Sequence, residues 1–264
     1  MTVLPPPAPP LRGLNKVPVA TPAFWIIKVL STTAGGTAAD ALATGPNGTP
    51  AVARAAAAAL LAATLLFQLR ARRPLPWLYW LTVVLASVVG TQASDALGIR
   101  LSLRTAVFAG LLAGIFVCWH RREHTLSIHT IVTRRRELFY WAAILCTFVL
   151  GTAMGDLASE TLGLGFGGSV LLFGTLVTCT VGIWVWGGHP VLVFWSAYIL
   201  THPLGAALGD LLSQGHHRGG LDLGSWWTSA LFLSVMGSLV LLVHVTQDTR
   251  DTLYMDTAPP KPTD

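Results

Sequence analysis

The sequence predicts an all-α polytopic membrane protein with eight transmembrane helices arranged as four parallel helical-hairpin repeats. Three observations predict it. Of the 264 residues, 53% are hydrophobic and 11% charged, and the mean hydropathy is +0.61, a composition foreign to ordinary soluble domains. Apolar segments of roughly 18–22 residues, the length that crosses a bilayer as a helix, recur along the whole chain. Finally, the pattern W-x9-G-x4-D occurs four times, each after an aromatic residue: Phe24-Trp25, Gly35, Asp40; Tyr79-Trp80, Gly90, Asp95; Tyr140-Trp141, Gly151, Asp156; Phe194-Trp195, Gly205, Asp210.

The spans fall near 23–43, 51–69, 77–97, 103–120, 138–160, 167–187, 191–213 and 226–246. The first of each pair carries the motif, and the second closes a hairpin, so the repeats cover about 23–70, 77–120, 138–187 and 191–246. A single membrane domain, 21–247, therefore uses nearly all of the chain and leaves no room for a separate soluble catalytic domain. The flanking segments, 1–20 with PPPAPP and 248–264 with APPKPTD, are expected to be disordered tails. Neither reads as a signal peptide.

Basic residues set the expected topology, because lysine and arginine in short loops are retained on the cytoplasmic side. Arg12 and Lys16 precede the first span, Arg70, Arg72 and Arg73 follow the second, and Arg121, Arg122, Arg134, Arg135 and Arg136 separate the fourth from the fifth. The alternate loops hold only Arg100, Arg104 and Arg218. Both termini are thus expected in the cytoplasm, with the chain in a bacterial inner membrane. This bias accounts for the net charge of +5, so no nucleic-acid partner is needed. Cys118, Cys146 and Cys179 have no paired spacing and read as small core residues, not disulfides or zinc ligands.

Each repeat contains an even number of spans, so all four motifs enter the membrane in the same direction. Each Asp lies about 22 Å beyond its Trp at 1.5 Å per residue, which puts the four carboxylates at one level in the outer half of the bilayer. Small or hydroxyl residues lie one turn before them: Gly36, Thr91, Thr152 and Ala206. Threonines there are expected to offer oxygens to whatever the carboxylates bind. For Trp25, Trp80, Trp141 and Trp195 the expected role is an interfacial belt, and for Gly35, Gly90, Gly151 and Gly205 close helix packing.

The aspartates call for more than packing. Of twelve acidic residues, only Asp40, Asp95, Asp156, Asp210 and Glu160 fall inside the expected spans, and ionisable groups there are functional candidates. Asp156 and Glu160 are four apart and should stack on one helical face, where a cation or proton must separate them. His202 and Pro203 should kink the seventh span and free a carbonyl beside an imidazole. Lys28 either snorkels to the surface or serves as an internal counter-ion. Gln92 and Gln214 add neutral oxygens. His120 with His124, and His216 with His217, sit among arginines and read as solvated loop residues.

Three segments carry a family resemblance: FWIIKVLSTTAGGTAAD at 24–40, GTAMGDLASETLG at 151–163 and AYILTHPLGAALGDLLSQ at 197–214. The four-fold two-span unit with its tryptophan resembles a bacterial family of membrane-anchored proteins built from a repeat of unknown function, over residues 20 to 247. In that family an acidic residue is common where Gly36 stands, and an arginine where His202 stands. The resemblance implies the multi-pass fold and no settled activity.

Oxygen ligands without thiolate suit hard cations, and a single histidine tilts the choice toward Mn²⁺. The leading expectation is a proton-coupled secondary transporter of a divalent cation, with Mn²⁺ export foremost and Asp40, Asp95, Asp156, Glu160, Asp210 and His202 as metal ligands. No ATP motif appears, and no resident cofactor is expected. The alternatives are a cation channel with an aspartate ring and a non-transporting scaffold or sensor. An enzyme is not expected, since no catalytic motif stands in a suitable context. The oligomeric state is left open.

Overall fold

The computed structural model describes residues 15–44, 50–71 and 73–256. Within them are eight helices: α1 (Pro22–Thr44), α2 (Pro50–Arg70), α3 (Pro76–Ala96), α4 (Leu101–Glu123), α5 (Arg134–Asp156), α6 (Gly165–Val185), α7 (Pro190–Ser213) and α8 (Ser225–Asp256). Prolines open α3 and α7 in the first turn, where the missing N–H costs nothing. At α5 the Thr133 side chain accepts from the Arg136 amide and caps the helix.

Seven helices, α2 through α8, are long and apolar enough to cross a membrane, which fits a multi-pass membrane protein. The expected eight spans are not all met by this measure. α1 has 23 residues but carries Lys28, Asp40 and several Thr, Ser and Gly positions that lower its hydropathy. Its neighbours explain why it can: α1 lies against α3, α7 and α8, so much of its surface meets protein. Most of its hydroxyls are spent on carbonyls, as in Thr37 to Thr33 at 3.0 Å and Ser31 to Lys28 at 2.7 Å.

The odd-numbered helices form a closed inner ring, α1 against α3, α3 against α5, α5 against α7 and α7 against α1. They are parallel, because their opening aromatic residues all meet at one end. Phe24 faces Trp80 at 5.3 Å between centroids, Tyr79 faces Trp141 at 5.7 Å, Tyr140 faces Trp195 at 6.1 Å and Phe194 faces Trp25 at 5.4 Å. The aromatic residue of each copy thus packs on the tryptophan of the next, and the fourth returns to the first. Trp80, Trp141 and Trp195 are buried and Trp25 is half-buried. The expected interfacial belt is therefore an internal girdle, and the exposed tryptophans are others, Trp77, Trp184, Trp186, Trp226 and Trp227.

The even-numbered helices form an outer layer with a register the hairpin reading did not anticipate. α2 packs chiefly on α3, α4 on α5, α6 on α7, and α8 returns to α1. Each outer helix covers the inner helix of the next repeat more than that of its own hairpin, so no repeat is a packed unit alone. At the closure Ser229 donates to Thr37 at 2.8 Å.

The tail boundaries also differ from expectation. Lys16 pairs with Glu137 at 2.7 Å and donates to the Gln68 carbonyl at 2.9 Å, Asn15 donates to Ile128 O at 3.0 Å, and Val17 is buried. Residues 15–20 thus belong to the fold, and the α8 backbone is helical to Asp256, beyond 247. The remaining tail residues, 1–14 and 257–264, lie outside the described residues.

Candidate functional site at the carboxylate end

The four motif aspartates stand at the end of the inner ring opposite the aromatic girdle. Asp40, Asp95, Asp156 and Asp210 stand at the same register on the four parallel inner helices, each near the helix end away from the girdle. One carboxylate from each repeat therefore contributes to a common acidic mouth, with Asp40, Asp156 and Asp210 half-buried and Asp95 exposed.

The parallel ring and a glycine rule together produce this convergence. A Cβ on Gly90 would stand 2.7 Å from Phe148 Cβ, one on Gly151 would stand 2.7 Å from His202 Cβ, and one on Gly205 would stand 2.9 Å from Thr32 Cβ. Gly35 is met in the same way by Ser87. Each of these contacting residues lies three positions before the motif glycine of the next copy. The motif glycine is thus a socket for the neighbouring inner helix, repeated around the ring, and it sets the four helices level.

Two carboxylates have local partners. Arg104 Nη2 binds Asp156 Oδ2 at 2.9 Å, and Arg104 Nη1 donates to the Ser94 carbonyl beside Asp95. Arg104 is buried. Gln214 Nε2 donates to Asp40 Oδ2 at 3.3 Å. For Asp210 no salt bridge occurs among the described residues.

Other expected ligands sit differently. Beyond Asp156 the α-helix gives way to a π turn, Leu157–Thr161, and Glu160 is exposed at the rim. His202 is fully buried against Gly151 and Phe148, its Nε2 3.3 Å from Thr152 Oγ1. It stands roughly 12 Å along the helix from Asp210 at 1.5 Å per residue, deep in the core and away from the mouth. α7 runs on through Pro203 as one helix, and Thr33 donates to the nearby Gly205 carbonyl at 3.0 Å. Lys28 does not snorkel. It is fully buried, with Nζ 4.6 Å from the Phe148 ring centroid and 4.5 Å from that of Tyr198.

The threonines expected to face a ligand are engaged with each other, Thr91 Oγ1 to Thr152 Oγ1 at 3.2 Å. Among the described residues no three His, Cys, Asp or Glu side chains gather as a metal-holding set. Sequence reasoning missed Arg104, counting it only as a loop charge. Its signal was an arginine within the first turn of an apolar span at the same end as the aspartates.

The profile of a Repeat of Unknown Function (DUF347) matches residues 23–74, 78–125, 139–189 and 193–249. The chain belongs to the DUF347 family. Its four tandem copies coincide with the four repeats read from the motif, and each DUF347 copy supplies one inner helix, one outer helix and one carboxylate. No match is found among curated proteins or among solved structures.

Proposed function

We propose that this DUF347 protein is a secondary transporter that moves a hard divalent cation through the acidic mouth, coupled to protons. One arrangement carries the reading: four parallel inner helices each bring an aspartate to the same end of one ring. Like charges held together in a largely apolar chain are stable only with a cation or proton among them. In this proposal α1 crosses with the other seven helices as an eighth span, shielded from lipid by its neighbours. The protein lies in the inner membrane with both termini cytoplasmic, as the arginine bias favours, and the mouth faces outward.

The preference for Mn²⁺ rested on His202, and its seat away from the carboxylates removes that support. The proposed cargo is accordingly the class of hard divalent cations, with Mn²⁺, Mg²⁺ and Ca²⁺ compared directly. Neither a resident cofactor nor an enzymatic activity forms part of the proposal. In liposomes, wild-type protein should accumulate at least one of these ions, and Asp210→Asn should abolish uptake while leaving thermal unfolding in detergent unchanged. Wild-type uptake by the variant would overturn the assignment.

A scaffold or sensor is the second reading, favoured by the Arg104–Asp156 pair and by the lack of a preformed metal set. It expects no flux in wild type and a lowered unfolding temperature for each Asp→Asn variant. A channel has less support, since the fully buried Lys28 side chain, packed on the Phe148 and Tyr198 rings, fills space between the inner helices.

A further inference from the structure

At the girdle end of the molecule, away from the acidic mouth, Lys16 ties two helices together. Its Nζ donates to the Gln68 carbonyl at 2.9 Å and reaches the Leu69 carbonyl at 3.5 Å, closing the last turn of α2, and it pairs with Glu137 Oε2 on α5 at 2.7 Å. An ammonium has three N–H donors, so these contacts use all of it. The other carboxylate oxygen, Glu137 Oε1, is buried with no hydrogen-bond partner among the described residues, in a residue only 2% exposed. An acceptor left this way in the interior is costly unless a donor reaches it.

A cavity of about 350 Å³ opens beside this pair, lined among others by Lys16, Leu69, Arg70, Val132, Arg134 and Glu137. Arg70 ends α2 and Arg134 opens α5; both are exposed, and neither forms a salt bridge among the described residues. Lys16, Arg70 and Arg134 bring three positive charges against the one negative charge of Glu137, a surplus of two. Large apolar side chains adjoining the cavity in the chain are exposed as well, Leu66 and Phe67 near the end of α2 and Leu138 next to Glu137. Both helices are long and apolar enough to cross a membrane, so a cavity at their girdle ends stands where the acyl region of a bilayer gives way to its headgroups.

We propose that this cavity binds the headgroup of an anionic phospholipid with free hydroxyls, of which phosphatidylglycerol is the simplest. Its phosphodiester oxygens accept from Arg70 and Arg134, whose planar guanidiniums suit phosphate. A glycerol hydroxyl donates to Glu137 Oε1, and the acyl chains lie along Leu66, Phe67 and Leu138. Three features select this ligand. The surplus positive charge disfavours a zwitterionic headgroup, the orphaned carboxylate oxygen calls for a donor beyond the phosphate, and the exposed apolar residues beside the cavity favour a lipid over a free glycerol phosphate. The lipid joins α2 to α5 at the end where Lys16 already bridges them, and the site stands independently of the transport reading.

The test uses the full chain in detergent, stripped of lipid and titrated with phosphatidylglycerol, with phosphatidylmethanol, which has the same charge and no hydroxyl, and with phosphatidylcholine. Native mass spectrometry counts the bound lipid and gives each Kd, and affinity should fall in that order. Arg70→Gln with Arg134→Gln should bind phosphatidylglycerol about thirty-fold more weakly, the loss expected for two arginines at an anionic membrane surface. Arg121→Gln with Arg122→Gln, exposed at the same end but outside the cavity, should bind it as wild type does. An equal loss in both pairs would reveal a diffuse basic surface and overturn the site. Equal affinity for phosphatidylglycerol and phosphatidylmethanol overturns the Glu137 contact and the assignment with it, and equally tight binding of soluble glycerol phosphate overturns the lipid. Should the arginine variant fail to fold, the ranking of the three lipids on wild type decides alone.

Discussion

The imidazole of His202 occupies the space that a side chain on Gly151 would need, as Phe148 does for Gly90 one helix earlier. This relationship makes the motif glycine an interlock between successive repeats.

Substitution of that socket is expected to unseat the neighbouring helix. Gly151→Ala should destabilise the protein by about 1–3 kcal/mol, the usual cost of overpacking a filled core. Gly36→Ala, where a Cβ meets open space, should be neutral or slightly stabilising. Thermal unfolding in detergent checks the order, and equal effects would refute the interlock.

The Tyr79 and Tyr140 hydroxyls are 2.6 Å apart in the buried aromatic girdle. Either single Phe substitution should cost about 1–2 kcal/mol by stranding its partner. The double substitution should cost less than the sum of the two, since both polar groups leave together. A double-mutant cycle by unfolding measures the difference.

Arg104 and Asp156 should behave as a coupled pair, with side chains 6% and 24% exposed. Arg104→Gln alone is expected to destabilise by about 2–3 kcal/mol, between the values for exposed and fully buried pairs. Adding Asp156→Asn should recover much of that loss. Strict additivity would show that the two do not interact.

Closure of the ring by α8 can be tested covalently. With Cys118, Cys146 and Cys179 replaced, Thr37→Cys and Ser229→Cys together should form an intrachain disulfide on mild oxidation, since the native oxygens are 2.8 Å apart. Cleavage in an intervening loop followed by non-reducing electrophoresis reads the result. Free thiols after oxidation would argue against α8 lying on α1.

The membrane class, the repeats and their common direction were all legible in the chain, because they follow from composition and periodicity. The identical W-x9-G-x4-D spacing, with an even number of helices per unit, is enough to bring the aspartates to one end. α1 falls short of the hydropathy of the other seven helices, and α3, α7 and α8 lie against its polar residues.

What tertiary structure alone decided is who touches whom between repeats. No local pattern says that α2 serves α3 more than α1, that the motif tryptophans turn inward, or that each glycine receives a residue from the next copy. These contacts join positions some 50 to 170 residues apart in the sequence, and they are chosen by shape complementarity around a closed ring. The same holds for Lys28 and His202. Their residue types advertised a function, but their burial away from the carboxylates depends on neighbouring helices that the linear order does not specify.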